Sequence, residues 1–65
     1  MLRLQQVREQ EGLNKIDVAR GAEIDQAAYG RIESGFRKPY GPEKERLAEF
    51  FDVSQDELFT EVTDQ

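Results

Sequence analysis

The sequence predicts an all-α domain of five short helices, and three observations predict it. Strand signals are nearly absent: the chain has no β-branched run and no Asn-Gly or Asp-Gly pair set between alternating segments. Apolar residues recur at three- and four-residue spacing in several short stretches. Between those stretches stand glycines, prolines and the Asn, Asp and Ser residues that open and close helices.

Leu4 and Val7, followed by Leu13 beyond Gly12, give the apolar side of a first helix over residues 2–11, which Gly12 ends. Asn14, with Asp17 three positions on, caps a second helix whose inner side is Val18 and Ala19 and which closes near Arg20 and Gly21. Asp25 caps a third, in which Ala28, Tyr29 and Ile32 repeat at helical spacing until Ser34 and Gly35. Residues 36–42 hold two prolines and a glycine and form the one real loop. Pro42 suits the first position of a fourth helix over residues 42–51, with Leu47, Ala48, Phe50 and Phe51 as its apolar stripe. Asp52 ends it, and the Ser54-Gln55-Asp56-Glu57 capping box opens a fifth through Leu58 and Phe59. Residues 1–60 are expected to form one domain and residues 61–65 a frayed tail.

At 65 residues there is room for one small core. The chain lacks cysteine and histidine, which excludes disulfides, thiolate zinc sites, Ser-His-Asp relays and Cys-His pairs. The carboxylate groups Glu43/Glu45/Glu49 and Asp52/Asp56/Glu57 do not converge and read as solvating helix faces, with Glu43, Asp56 and Glu57 also suited to helix N-termini. No catalytic residue, metal or cofactor is expected. No apolar run reaches the ~20 residues of a membrane span and no signal peptide opens the chain, so the expected setting is soluble and cytoplasmic. A chain ending just past its domain is expected to carry no sensor module. The net charge of −5 is unevenly spread: residues 1–40 hold seven Lys/Arg against six Asp/Glu, and residues 41–65 two against eight. One face is therefore near neutral and the other acidic, which leaves nucleic-acid binding open.

Two short helices joined by a tight turn suit the arrangement in which one crosses the DNA backbone and the next enters the major groove. The stretch Leu4-Gln5-Gln6-Val7-Arg8-Glu9-Gln10-Glu11-Gly12-Leu13-Asn14-Lys15-Ile16-Asp17-Val18-Ala19 resembles the opening of Cro and phage-repressor-type (XRE-family) helix-turn-helix domains. Residues 22–35 resemble that family's turn and recognition helix, ending in Ile32-Glu33-Ser34-Gly35. Arg37-Lys38-Pro39, Leu47-Ala48, Phe51-Asp52-Val53-Ser54 and Glu57-Leu58-Phe59 continue the register without a gap through residue 60. The resemblance implies a compact five-helix, lambda-repressor-like DNA-binding domain with its helix-turn-helix over residues 15–33. Two residues depart from the pattern. Glu23 stands at the turn where the family has glycine, in a left-handed conformation that costs other residues about 1 kcal/mol. Lys15 replaces the family's phosphate-binding glutamine.

The resemblance further implies roles for single residues. Arg8 and Glu33 form a partly buried ion pair; the alternative is two solvated surface charges. Gln26, in the first turn of the recognition helix, contacts adenine N6/N7 or is merely solvated. Arg31 reads guanine, clamps a phosphate or pairs with an acid such as Glu33. Ala27 touches a thymine methyl, whereas Ala28 packs inward. Gly30 weakens the helix, for which close approach to DNA and simple drift are both adequate reasons. Lys15, Ser34, Arg37 and Lys38 are the phosphate candidates, with the Ser34–Gly35 backbone adding donors. Tyr29 and Phe36 are expected in the core or at its edge, and Ile16 on the outward face of the second helix. Leu58, Phe59 and Val62 either close the core or form a two-fold contact between two copies.

The function so implied is sequence-specific binding of double-stranded DNA by a transcriptional regulator, as a homodimer on an imperfect palindrome, acting by promoter occupancy. The rival reading is an acidic protein-interaction module, antitoxin-like or an adaptor, with the same fold and little DNA affinity. Glu23, the net charge and the sparse recognition helix favour it, and its partner would dock on the acidic C-terminal face.

Overall fold

A computed structural model describes residues 1–62 as five helices: α1 (Arg3–Gln10), α2 (Lys15–Gly21), α3 (Gln26–Ser34), α4 (Gly41–Phe51) and α5 (Gln55–Leu58). The architecture is all-α, as the apolar spacing requires. Pro42 takes the second position of α4 rather than the first.

The first four helices end in the same way. One residue adopts the left-handed conformation: Gly12 (φ 73°), Glu23 (57°), Gly35 (89°) and Asp52 (56°). The next amide then donates to the carbonyl five residues back: Leu13 N to Arg8 O at 3.2 Å, Ile24 N to Ala19 O at 2.8 Å, Phe36 N to Arg31 O at 2.9 Å and Val53 N to Ala48 O at 3.1 Å. Carbonyls that would otherwise be orphaned at the helix ends are thereby satisfied. The reversal also returns the following side chain toward the helix, and Leu13, Ile24 and Val53 all join the core. Phe36 does not: it is 88% exposed, which corrects its expected place in the core or at its edge. Arg31 O accepts from both Phe36 N and Arg37 N, so the chain leaves α3 along its rim with the Phe36 ring outside.

The helix starts follow the capping residues. Asn14 N donates to Asp17 Oδ2 at 3.1 Å, Ala28 N to Asp25 Oδ2 at 3.2 Å, Tyr40 N to Glu43 Oε1 at 2.9 Å and Glu57 N to Ser54 Oγ at 3.3 Å. With both ends fixed, each short helix turns its few apolar residues inward. The core consists of Leu4 and Val7 of α1, Val18 and Ala19 of α2, Ala22 and Ile24 of the turn, Tyr29 and Ile32 of α3, Leu47 of α4 and Leu58 of α5. Ile16, expected to face outward, is half-buried.

Two contacts set α4 against α2. A Cβ at Gly21 would stand 2.1 Å from Phe50 Cε1, so only glycine lets that ring lie across the end of α2. Arg46 Nε donates to Ala22 O at 2.8 Å. The chain ends meet as well, with Arg3 N bonded to Thr60 O at 2.9 Å and Val62 N to Met1 O at 2.8 Å. Glu61 and Val62 are thus paired with the N-terminal segment rather than frayed; the remainder of the expected tail, residues 63–65, lies outside the described residues. Leu58 needs a further correction. It is fully buried, because a one-turn α5 has only one inward position, and it has no surface to offer a second copy.

Backbone strain at Glu23 and unfilled space at Gly30 make a joint prediction. A Cβ at Gly30 meets nothing within 4 Å, so Gly30→Ala should stabilise the fold by about 1 kcal/mol through helix propensity. Glu23→Gly should stabilise it by a similar ~1 kcal/mol by relieving the left-handed residue. Urea denaturation of the two variants checks both.

Candidate nucleic-acid interface

Arg8 and Glu33 lie 25 residues apart and meet in a two-pronged pair: Nε to Oε2 at 2.9 Å and Nη2 to Oε1 at 3.0 Å. Arg8 Nη1 also donates to Leu13 O at 2.8 Å. Glu33 is 4% exposed, so its charge is stabilised by the guanidinium rather than by water. Hydrogen bonding to Glu33, opposed by burial, holds Arg8 above its ordinary arginine value. The pair joins the last turn of α1 to the last turn of α3, and through Leu13 O it also grips the α1–α2 turn. Beside it the buried Tyr29 hydroxyl reaches no partner in hydrogen-bonding geometry among the described residues. Burial, and then the Glu33 carboxylate, push the phenol far above its usual value.

With Tyr29, Ile32 and Glu33 turned inward, α3 presents Gln26, Ala27, Arg31 and Ser34 to solvent. Ala27, Arg31 and Ser34 follow at spacings of four and three and share a stripe, with Gln26 at its N-terminal end. Arg31 has no ion-pair partner among the described residues, and Glu33, one of its expected partners, belongs to Arg8. Ala28 is half-buried against the core, as expected of an inward alanine. Lys15, on the first turn of α2, and Lys38, in the loop after α3, are exposed cations without an acidic partner among the described residues.

Two phosphate candidates are placed differently from expectation. Ser34 Oγ donates to Arg31 O at 3.2 Å and Gly35 N to Ile32 O at 3.2 Å, so these donors already close the end of α3. Arg37 is not a free cation. Its Nη1 and Nη2 donate to Glu43 Oε1 and Oε2 at 3.1 and 2.9 Å, Nη1 also donates to Lys38 O at 3.1 Å, and the guanidinium lies 4.8 Å over the Tyr40 ring. Glu43, read from sequence among the solvating acids, is held by these bonds below its usual carboxylate value; burial opposes the shift and the Tyr40 amide adds to it. One signal for it is in the sequence: Pro42 marks the start of α4 and puts Glu43 in the capping position.

Among the described residues no group of His, Cys, Asp and Glu side chains is placed to hold a metal ion, and no helix is long and apolar enough to cross a membrane. What the fold builds is a short helix, a turn with a left-handed residue, and a second helix whose outer stripe is fixed from behind by an ion pair. A family model described as a helix-turn-helix domain matches residues 2–59. The chain belongs to the helix-turn-helix domain family. Neither the curated proteins nor the solved structures compared with it yielded a match. The helix-turn-helix is α2 and α3, and the residues that orient it, Arg8 and Arg46, come from α1 and α4.

Removing one partner of the buried pair should be far worse than removing both. Glu33→Ala is expected to cost about 3 kcal/mol by leaving Arg8 uncompensated, whereas Arg8→Met with Glu33→Leu should recover most of that loss. Thermal unfolding of the single and double variants makes the comparison.

Proposed function

We propose that this helix-turn-helix protein is a DNA-binding transcriptional regulator that lays α3 in the major groove of double-stranded DNA, as a homodimer on an imperfect palindrome, and acts by occupying promoters. The observation that carries this reading is the α3 stripe of Gln26, Ala27 and Arg31, exposed on a helix whose other side is pinned by the Arg8–Glu33 pair. A helix with an amide and, among the described residues, an unpaired guanidinium on its outer face has the donors that read adenine and guanine edges. Lys15 and Lys38, on either side of α3 in the chain, are free to meet phosphates. The acidic α4 and α5 would disfavour docking of DNA in other orientations. A second copy would be met through the half-buried Phe59 and Val62, not through Leu58. The expected setting is the cytoplasm, with no enzymatic activity.

A second reading, the protein-interaction module, is favoured by the Phe36 and Tyr40 side chains at 88% and 67% exposure. Aromatic residues on a loop are usual anchors for a protein partner.

Selection of duplexes from a random-sequence library by the purified chain separates the two. Regulator function predicts enrichment of two inverted half-sites about 10 base pairs apart between centres. Gln26→Ala should relax preference at one adenine by about 1–3 kcal/mol, while Lys15→Gln should weaken all sequences alike and lower the salt slope by about one unit. Absence of any enrichment by the folded protein would overturn the DNA reading in favour of the interaction module.

A further inference from the structure

The loop between α3 and α4 carries Lys38, yet its backbone has few restraints of its own. Its first amides close α3, on Arg31 O and Ile32 O, and the first helical bond of α4 runs from Lys44 N to Tyr40 O. Between these anchors the loop is held by one carboxylate. Glu43 Oε1 accepts from Arg37 Nη1 and from Tyr40 N, and Oε2 accepts from Arg37 Nη2, so three donors from two loop residues converge on it. The side chain is only 13% exposed. Through Arg37 the restraint passes on to Lys38, whose carbonyl takes the second Nη1 proton. Among the described residues the Arg37 Nε–H and one Nη2 proton have no acceptor. A guanidinium fixed by a carboxylate on one edge keeps its other edge for a second anion in a defined direction.

We propose that Glu43 is a positioning residue for DNA binding, holding the 35–40 loop and Arg37 so that Lys38 and the open edge of the Arg37 guanidinium meet one stretch of phosphate backbone. This rests on the DNA-binding reading above and deepens it. A negative charge beside a phosphate site would ordinarily weaken binding, so the sign of its effect separates positioning from simple electrostatics. Removing it raises the net charge from −5 to −4, and by charge alone that strengthens binding.

The test is the affinity of the 65-residue chain for a selected duplex, or for a generic duplex at low salt, with Glu43→Gln, Glu49→Gln and Arg37→Gln. Gln at position 43 keeps a carbonyl acceptor for Tyr40 N and loses the charge, and Glu49 is an exposed acid on the same helix that serves as the charge-matched control. Circular dichroism confirms that each variant is folded at the assay temperature. Positioning predicts that Glu43→Gln weakens binding about tenfold and reduces the salt slope by about one unit, while Glu49→Gln leaves both unchanged or binds slightly more tightly. In the Arg37→Gln background the Glu43→Gln change should have no further effect, because the two act as one unit. Glu43→Gln that binds as tightly as the wild type or more tightly overturns the assignment and leaves the DNA reading standing. A wild-type chain that binds no duplex at all overturns both.

Discussion

The orientation of α3 depends on one interaction, the two-pronged pair between Arg8 and Glu33. Helices of seven to nine residues are too short to hold their own positions by propensity or length. A core of ten mostly aliphatic side chains supplies cohesion but little direction, since apolar contact is not directional. The ion pair supplies direction. It fixes the C-terminal turn of α3 against α1, and the Leu13 carbonyl extends the same grip to the turn that launches α2. The exposed stripe of α3 is where it is because the opposite face is bonded.

A second constraint is the repeated helix ending. Four left-handed residues, each followed by an amide bonded five residues back, reverse the chain within one or two residues, and three of the four reversals return an apolar side chain to the core. This economy lets a chain of 65 residues fit five helices around one core. It also explains why Glu23 is tolerated. The conformation at that position is set by the Ile24–Ala19 bond and by burial of Ala22 and Ile24, so an unfavourable residue costs stability without changing the path. Phe36 follows the same turn but stays outside.

Much of this was legible in the sequence. Glycines, caps and apolar spacing placed all five helices, and resemblance to a known domain carried the Arg8–Glu33 pair, which no spacing rule links across 25 residues. The interior at Tyr29 and Ile32 followed from helical period alone. What was not legible depended on tertiary geometry. Whether Phe36 turned in or out was decided by a shared acceptor, Arg31 O. That Arg37 was bonded to Glu43 on one edge rather than wholly free depended on how a proline-containing loop folded back on α4. The fit of Gly21 under the Phe50 ring, and the pairing of Met1 with Val62, joined distant segments that carry no sequence mark. Leu58 was ambiguous between core and contact surface because a one-turn helix gives too little periodicity to assign a face.

Charge divides the molecule in the same sense as structure. Lys15, Arg31 and Lys38, cations without an acidic partner among the described residues, belong to the N-terminal two-thirds with the helix-turn-helix, whereas residues 41–65 hold eight of the fourteen acids. In the proposed function α3, held from behind by Arg8 and Glu33, presents its outer stripe to DNA. Backbone amide chemical shifts of the isotope-labelled chain, followed by NMR during titration with a selected duplex, test it most directly. Saturable changes are expected at Lys15, Gln26, Ala27, Arg31 and the 35–38 loop, with the exposed residues of α4 and α5 little affected. Changes centred on the acidic helices, or none that saturate, would contradict it.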